Sequence, residues 1–162
     1  MRIIKADLLH AEAIARICAE GWKQTVEEKL SEETQQQTID QWYNLARVKR
    51  DIASGGYGYV AVRADEVVGV IGGSVTTPDT SEVFVLYVDE KDRYFGTGTM
   101  LLQALTQDHK QQGASCQWVS VQEGNQHGIP FYEATGFLCK EQRESVKDTG
   151  ETHVILRYYR EV

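Results

Sequence analysis

The segment that most limits what this chain can fold into is the apolar run at residues 83–88. It passes through a short charged turn into Arg93-Tyr94-Phe95-Gly96-Thr97-Gly98 and then directly into a helical pattern. A strand that delivers two close glycines to a helix N-terminus presents backbone N–H groups without partners, and the helix dipole adds to their pull on an anion. Arg93 contributes a fixed positive charge. A dinucleotide fingerprint would need a third glycine or alanine where Leu101 stands, and a Walker loop would need a lysine that Gly98-Thr99-Met100 lacks. The turn therefore predicts a phosphate cradle of another kind.

Around this turn the chain reads as alternating strands and helices. Residues 2–5 predict a strand, and Asp7 a cap for a helix whose apolar side holds Ala11, Ile14, Ala15 and Ile17. Ser31 predicts the cap of a second helix, with Ile39, Trp42, Tyr43, Leu45, Ala46 and Val48 as one stripe running to the Ser54-Gly55-Gly56 stop. Residues 59–63 and 67–75 form a hairpin pattern across Ala64-Asp65-Glu66, followed by a strand at 82–88. A helix from Thr97 to about Gln112 ends at Gly113, and a strand follows at 116–121. That strand, helix, strand unit predicts a parallel crossover, with the glycine turn at the carboxyl end of its first strand, where ligands bind. A short helix near 128–135 and strands near 137–146 and 153–159 complete the pattern.

Composition narrows the class. At 162 residues, 41% hydrophobic and with only two prolines, the chain is expected to form one domain over 1–162 with a substantial core. No apolar run approaches the roughly 20 residues of a membrane span, and the chain opens into a strand pattern, which predicts no membrane association and a cytoplasmic address. Cys18, Cys116 and Cys139 lack any Cys-x-x-Cys spacing, and the scattered His10, His109, His127 and His153 lack metal-ligand spacing, so no metal is expected. A net charge of -7 opposes a phosphate-tracking surface and hence nucleic acid.

Leu86-Tyr87-Val88, Arg93-x-x-Gly96-x-Gly98, Asn125 and Phe131-Tyr132-Glu133-x-x-Gly136-Phe137 occur in an order and spacing that resembles the GCN5-related N-acetyltransferases. The resemblance covers nearly the whole chain. It implies an α+β fold of three αβα layers, with a mixed, mostly antiparallel sheet whose central parallel pair splays to hold acetyl-CoA. It also implies that backbone groups of Leu86, Tyr87 and Val88 pair with the pantetheine arm like an added strand. Arg93 and the amides of Tyr94, Phe95, Gly96, Thr97, Gly98 and Thr99 would hold the pyrophosphate, with Asn125 bonding the arm from the other side. As a turn or helix-cap residue, Asn125 would serve the fold instead.

Three positions depart from the family pattern. Glu90 stands where proline is common, Gly128 where alanine is, and Phe95 replaces a glycine or lysine type of residue, which predicts a modest loss of cofactor affinity.

The chemistry implied is attack of a neutral amine on a thioester carbonyl, so the protein must place two reactants, remove one proton and settle a thiolate. By the resemblance, the Leu86 N–H donates to the carbonyl and Tyr132 donates to the departing sulfur. Glu82 holds the position from which some members draw the amine proton through water. Strand alternation would put it on one face with Phe84 and Leu86. His127 is a second candidate base.

Acceptor recognition is expected from the segment between the first two helices. It is acidic, with Glu20, Glu27, Glu28, Glu32, Glu33 and Asp40 against Lys23 and Lys29, and would attract a cationic amine past an aromatic wall at Trp22. Its tryptophans and Leu-Ser-Glu cap resemble members acting on polyamines. A protein N-terminus or lysine, an aminoglycoside-like or amino acid amine, and a non-catalytic CoA-binding regulatory module stay open, as does a homodimer through the last two strands.

Overall fold

The computed structural model describes residues 1–162. Seven strands form one sheet in the order β1-β2-β3-β4-β5-β7-β6. β1 (Arg2–Lys5), β2 (Tyr59–Arg63), β3 (Glu66–Thr77) and β4 (Thr80–Val88) pair antiparallel in sequence, and Ala64 and Asp65 take positive φ in the tight β2–β3 turn. β4 then crosses through α4 (Thr97–Gln111) to pair in parallel with β5 (Cys116–Gln122). After α5 (Gly128–Ala134), β6 (Leu138–Val146) turns back into β7 (Thr152–Glu161), which inserts beside β5 and leaves β6 as an exposed edge.

The two faces of the sheet carry separate cores. Leu101, Leu102 and Leu105 of α4 and Tyr132 of α5 pack with Val83, Val119, Val121, Phe137 and Tyr158 on one face. On the other, Ala11, Ile14, Ile17 and Cys18 of α1 (Ala11–Val26) meet Val48 and Ile52 of α3 (Leu45–Ala53) over Val60, Val62 and Val70. The result is the expected three-layer αβα arrangement.

Two local readings are corrected. Asp7 caps a single 3-10 turn, Leu8–His10, which leads into α1. The single helix expected after Ser31 is two helices, α2 (Glu32–Trp42) and α3. Asn44 breaks the stripe because its side chain accepts from Arg47 N at 2.8 Å and its amide donates to Asp40 O, ending one helix and capping the next. The remaining elements lie where their patterns put them, within a residue or two at most ends.

One irregularity shapes the site. Between β3 and β4 the register passes from Gly72↔Val85 to Gly73↔Val83, so Phe84 is an extra, bulged residue. Side chains on the two sides of the bulge therefore change face. Val83 and Leu86 both pack toward α4, whereas Val85 and Tyr87 pack toward α1.

Candidate active site

The parallel ladder between β4 and β5 stops at Val83↔Val119. Beyond that rung the strands diverge, and residues 84–88 carry no ladder partner on the side that faces β5. The gap opens into a cavity of about 1320 Å³ that reaches from the Arg93–Thr99 turn to the inner side of α1, α2 and α3. Leu86, Tyr87, Val88, Arg93, Tyr94, Gly96, Thr97, Gly98, Thr99, Asn125 and Tyr132 all line it, as do Trp22, Glu27 and Glu28. Of the residues expected at the site, Glu82 and Phe95 do not.

At the turn, Gly96 begins α4 with φ 82 and no side-chain cap, and no carbonyl or side chain in the protein accepts from the amides of residues 94–99. Tyr94 also has positive φ, a conformation that costs a non-glycine residue about 1 kcal/mol. Its hydroxyl meets His127 Nδ1 at 2.7 Å, joining the turn to the start of α5 across the cleft mouth. A Cβ at Gly98 would lie 3.3 Å from Phe131 Cε1, so the second motif glycine lets α4 seat against α5. These free amides and the helix terminus suit a pyrophosphate. Phe95 is 76% exposed, and its ring lies beside Met1, Arg63, Asp92 and Met100, away from the cleft.

Arg93 is more engaged than its sequence position suggests. Its Nε donates to Val88 O at 3.2 Å and its Nη2 to Gln24 on α1, so the guanidinium closes the end of β4 while lining the cleft. Asn125 caps α5: its Oδ1 accepts from His127 N at 3.1 Å and Gly128 N at 2.8 Å. A Cβ at residue 128 would meet Asn125 Nδ2 at 2.7 Å, which explains glycine there.

Tyr132 is buried between Phe131 and Phe137 in edge-to-face contacts at 5.2 and 5.3 Å. Burial holds its pKa well above the ordinary phenol value, and its hydroxyl has no partner within the protein. It is therefore a protonated donor facing the gap.

Glu82 lies before the bulge and points to the face opposite Leu86, not to a face shared with it. Arg157 of β7 grips both its oxygens, at 3.0 and 2.9 Å, and also bonds Ser120 Oγ at 2.8 Å and lies over the Trp118 ring. The alternation argument fails because the bulge shifts the period by one residue.

The far side of the cavity, where the acceptor is expected, is built from four separate segments. Trp22 is buried, donates Nε1–H to Gln35 O at 3.3 Å and lies under Lys147 Nζ at 5.1 Å. Glu27, Glu28, Lys29, Arg47 and Asp51 join the wall, Arg47 paired with Asp51 at 2.9 Å. Gln122, Lys147 and His153 complete it. Sequence patterns gave no sign of these three, because a lone glutamine, lysine or histidine near a strand end has no distinguishing spacing. No group of three or more His, Cys, Asp or Glu side chains is arranged to hold a metal ion.

A family model described as the acetyltransferase (GNAT) family matches residues 14–137. The chain belongs to this family. It is accordingly an acetyl-CoA-dependent N-acetyltransferase. Among solved structures, PaiA N-acetyltransferase from Thermoplasma acidophilum, in complex with coenzyme A, superposes with TM-score 0.84 at 19% identity, covering 99% of this chain and 98% of that one. YncA from Salmonella typhimurium, with its cofactor acetyl-CoA, gives 0.72 at 19% identity over 99% and 93% of the two chains. Ribosomal-protein-alanine N-acetyltransferase from Brucella melitensis gives 0.71 at 21% identity, with 100% of both chains covered. No curated protein matches the sequence significantly.

Proposed function

We propose that this GNAT acetyltransferase moves the acetyl group of acetyl-CoA to the primary amine of a small molecule by direct attack in a ternary complex. The observation that carries the reading is the continuity of one cavity from the free amides of the glycine turn, past Tyr132, to the wall formed by Trp22 and Lys147. Both reactants have room in it at once.

In this reading the amides of residues 94–99 and Arg93 hold the pyrophosphate, and the unpaired edge of β4 at Leu86 to Val88 accepts the pantetheine arm. The Leu86 N–H donates to the thioester carbonyl. The neutral amine nitrogen forms the new bond to the acetyl carbon, the carbon–sulfur bond breaks as Tyr132 gives its hydroxyl proton to the leaving sulfur, and the surplus proton on nitrogen passes to the Tyr132 phenolate, directly or through water, which restores the phenol. Glu82, committed to Arg157, is a poor candidate for removing the amine proton, and His127 is occupied with Tyr94. Rate enhancement then rests mainly on juxtaposition of the reactants.

A small acceptor is supported by the tip of the β6–β7 hairpin. Glu151 accepts from Ser31 N at 3.0 Å and from the Ser31 and Thr34 hydroxyls, and Thr149 Oγ1 meets Thr34 Oγ1 at 2.6 Å. This ties the hairpin to the start of α2 and bridges two elements that wall the cavity, which disfavours an extended protein segment. The polyamine expectation rested on the tryptophans and Leu-Ser-Glu cap and on an acidic run, yet Glu20, Glu32, Glu33 and Asp40 are absent from the lining, and Lys29 and Lys147 offset Glu27 and Glu28. A monoamine suits that balance better than a polycation. Three unpaired cysteines suit a reducing cytoplasm, and no helix is long and apolar enough to cross a membrane.

Thiol release from acetyl-CoA, followed across monoamines, polyamines, amino acids, aminoglycosides and basic peptides, tests the reading. Turnover with a small amine, lost in Tyr132→Phe, is the expected result. Turnover confined to peptides would replace the acceptor, and tight acetyl-CoA binding with no turnover would favour a regulatory CoA-binding module.

A further inference from the structure

Two buried polar side chains on the acceptor wall have nothing to bond. Gln122, the last residue of β5, and His153, near the start of β7, are each 7% exposed and line the cavity. Gln122 Oε1 and both ring nitrogens of His153 are buried without a hydrogen-bond partner. Folded proteins seldom leave such atoms unpaired, because each forfeits its bonds to water on folding.

The sheet places the two together. Gln122 pairs with Ile155, so it shares a face with Ile155 and, two residues along the same strand, with His153. Diagonal neighbours of this kind lie roughly 7 to 8 Å apart, a span that one small polar group can bridge. The face is that of Arg157, opposite the α4 core that holds Leu156 and Tyr158. It is the acceptor side.

Their chemistry restricts what can sit there. Gln122 Oε1 takes a donor, while a neutral imidazole takes a donor at one nitrogen and offers one at the other. Burial, then the nearby charge of Lys147, hold the His153 pKa below its usual value, which favours the neutral ring. Lys147 itself lies over Trp22, and burial lowers its pKa too. With Lys147 and Lys29 offsetting Glu27 and Glu28, the wall carries no surplus negative charge to hold a second ammonium group. A carboxamide presents N–H donors and a carbonyl acceptor, so it can serve Gln122 Oε1 and one ring nitrogen of His153 together.

On the acetyltransferase reading above, we propose that Gln122 and His153 bind the non-reacting end of the acceptor, and that this end is an uncharged group that both donates and accepts hydrogen bonds, of the carboxamide type. The acceptor class is then a short primary amine bearing an amide, not a diamine.

The test uses glycinamide, 3-aminopropanamide and 4-aminobutanamide against diamines and n-alkylamines of matching length, with rates expressed per unprotonated amine. At least one amide is expected to exceed its alkylamine and diamine counterparts about tenfold in kcat/KM. His153→Leu and Gln122→Met should shrink that advantage below about threefold by raising the KM of the amide, leaving the acetyl-CoA KM unchanged. Because the orphaned atoms serve a ligand and not the fold, both variants should melt at or above the wild-type temperature. Equal turnover of amides and alkylamines, or an advantage that survives both substitutions, overturns the proposal. Thermal shift of the CoA-saturated protein separates it from the reaction. If no amine is acetylated but an amide still raises the melting temperature of wild type and of neither variant, the subsite stands and the transfer reading falls. Absence of both the shift and the preference overturns the subsite.

Discussion

Arg157 on β7 reaches across β5 to hold Glu82 on β4 with two hydrogen bonds, one rung before the parallel ladder ends at Val83↔Val119. Three strands are thus tied at the point from which two of them part. Replacing Arg157 with methionine should strand a partly buried carboxylate and lower stability by about 1–3 kcal/mol, read from urea unfolding. Glu82→Gln should leave the pH profile of kcat/KM unchanged in shape. Loss of its acid limb in that variant would restore Glu82 as the base.

Tyr132→Phe removes a hydroxyl donor that has no partner within the protein while keeping the ring between Phe131 and Phe137. Turnover is expected to fall at least tenfold, with acetyl-CoA affinity by calorimetry nearly unchanged. Since burial raises the phenol pKa, Tyr132 stays protonated through pH 10, and the wild-type profile should show no alkaline limb from this group below that pH. A limb that disappears in the variant would contradict the assignment.

Arg93→Ala should weaken acetyl-CoA binding by about 1–3 kcal/mol, the scale of a charge-assisted bond. Because Arg93 also bonds Val88 O and Gln24, S-acetylpantetheine, which lacks the pyrophosphate, is the control. Its affinity should change little. Equal losses for both ligands would mean that Arg93 acts only through β4.

Gly21→Ala would raise helix propensity at an interior position of α1, yet its Cβ would fall 2.1 Å from Tyr87 Cδ1. Tyr87 packs toward α1 with the second core, and its ring would have to turn out of that packing to make room. A net destabilisation of about 1–3 kcal/mol is expected from thermal unfolding. A stabilised variant would show that α1 can lift from β4 at little cost.

Bonds from Ser31 and Thr34 hold the Glu151 pKa below the ordinary carboxylate value near 4.5. A depressed folded-state pKa contributes stability that is present above the unfolded value and is lost as pH falls through the folded one. Glu151→Gln should therefore be less stable than wild type at pH 7, and the difference in urea midpoint should narrow below pH 4.5. A difference that stays constant with pH would remove the ionised latch.

The sequence by itself determined the order of elements, the glycine turn that opens α4 and the family. Those features are local: a glycine pair entering a helix, a capping serine, two-residue and helical periodicities and a tight turn act within a few residues of themselves. Tertiary structure decided the rest. The bulge at Phe84 has no compositional mark, because it arises from how β4 registers against Gly72 and Gly73, and it alone turns Glu82 away from Leu86. Asn44 split an apolar stripe that periodicity read as continuous, because its side chain bonds the backbone on both sides. The cavity wall proposed to meet the acceptor joins Trp22, Gln122, Lys147 and His153 from separate elements. Long-range strand pairing brings such residues together, and no spacing along the chain encodes it.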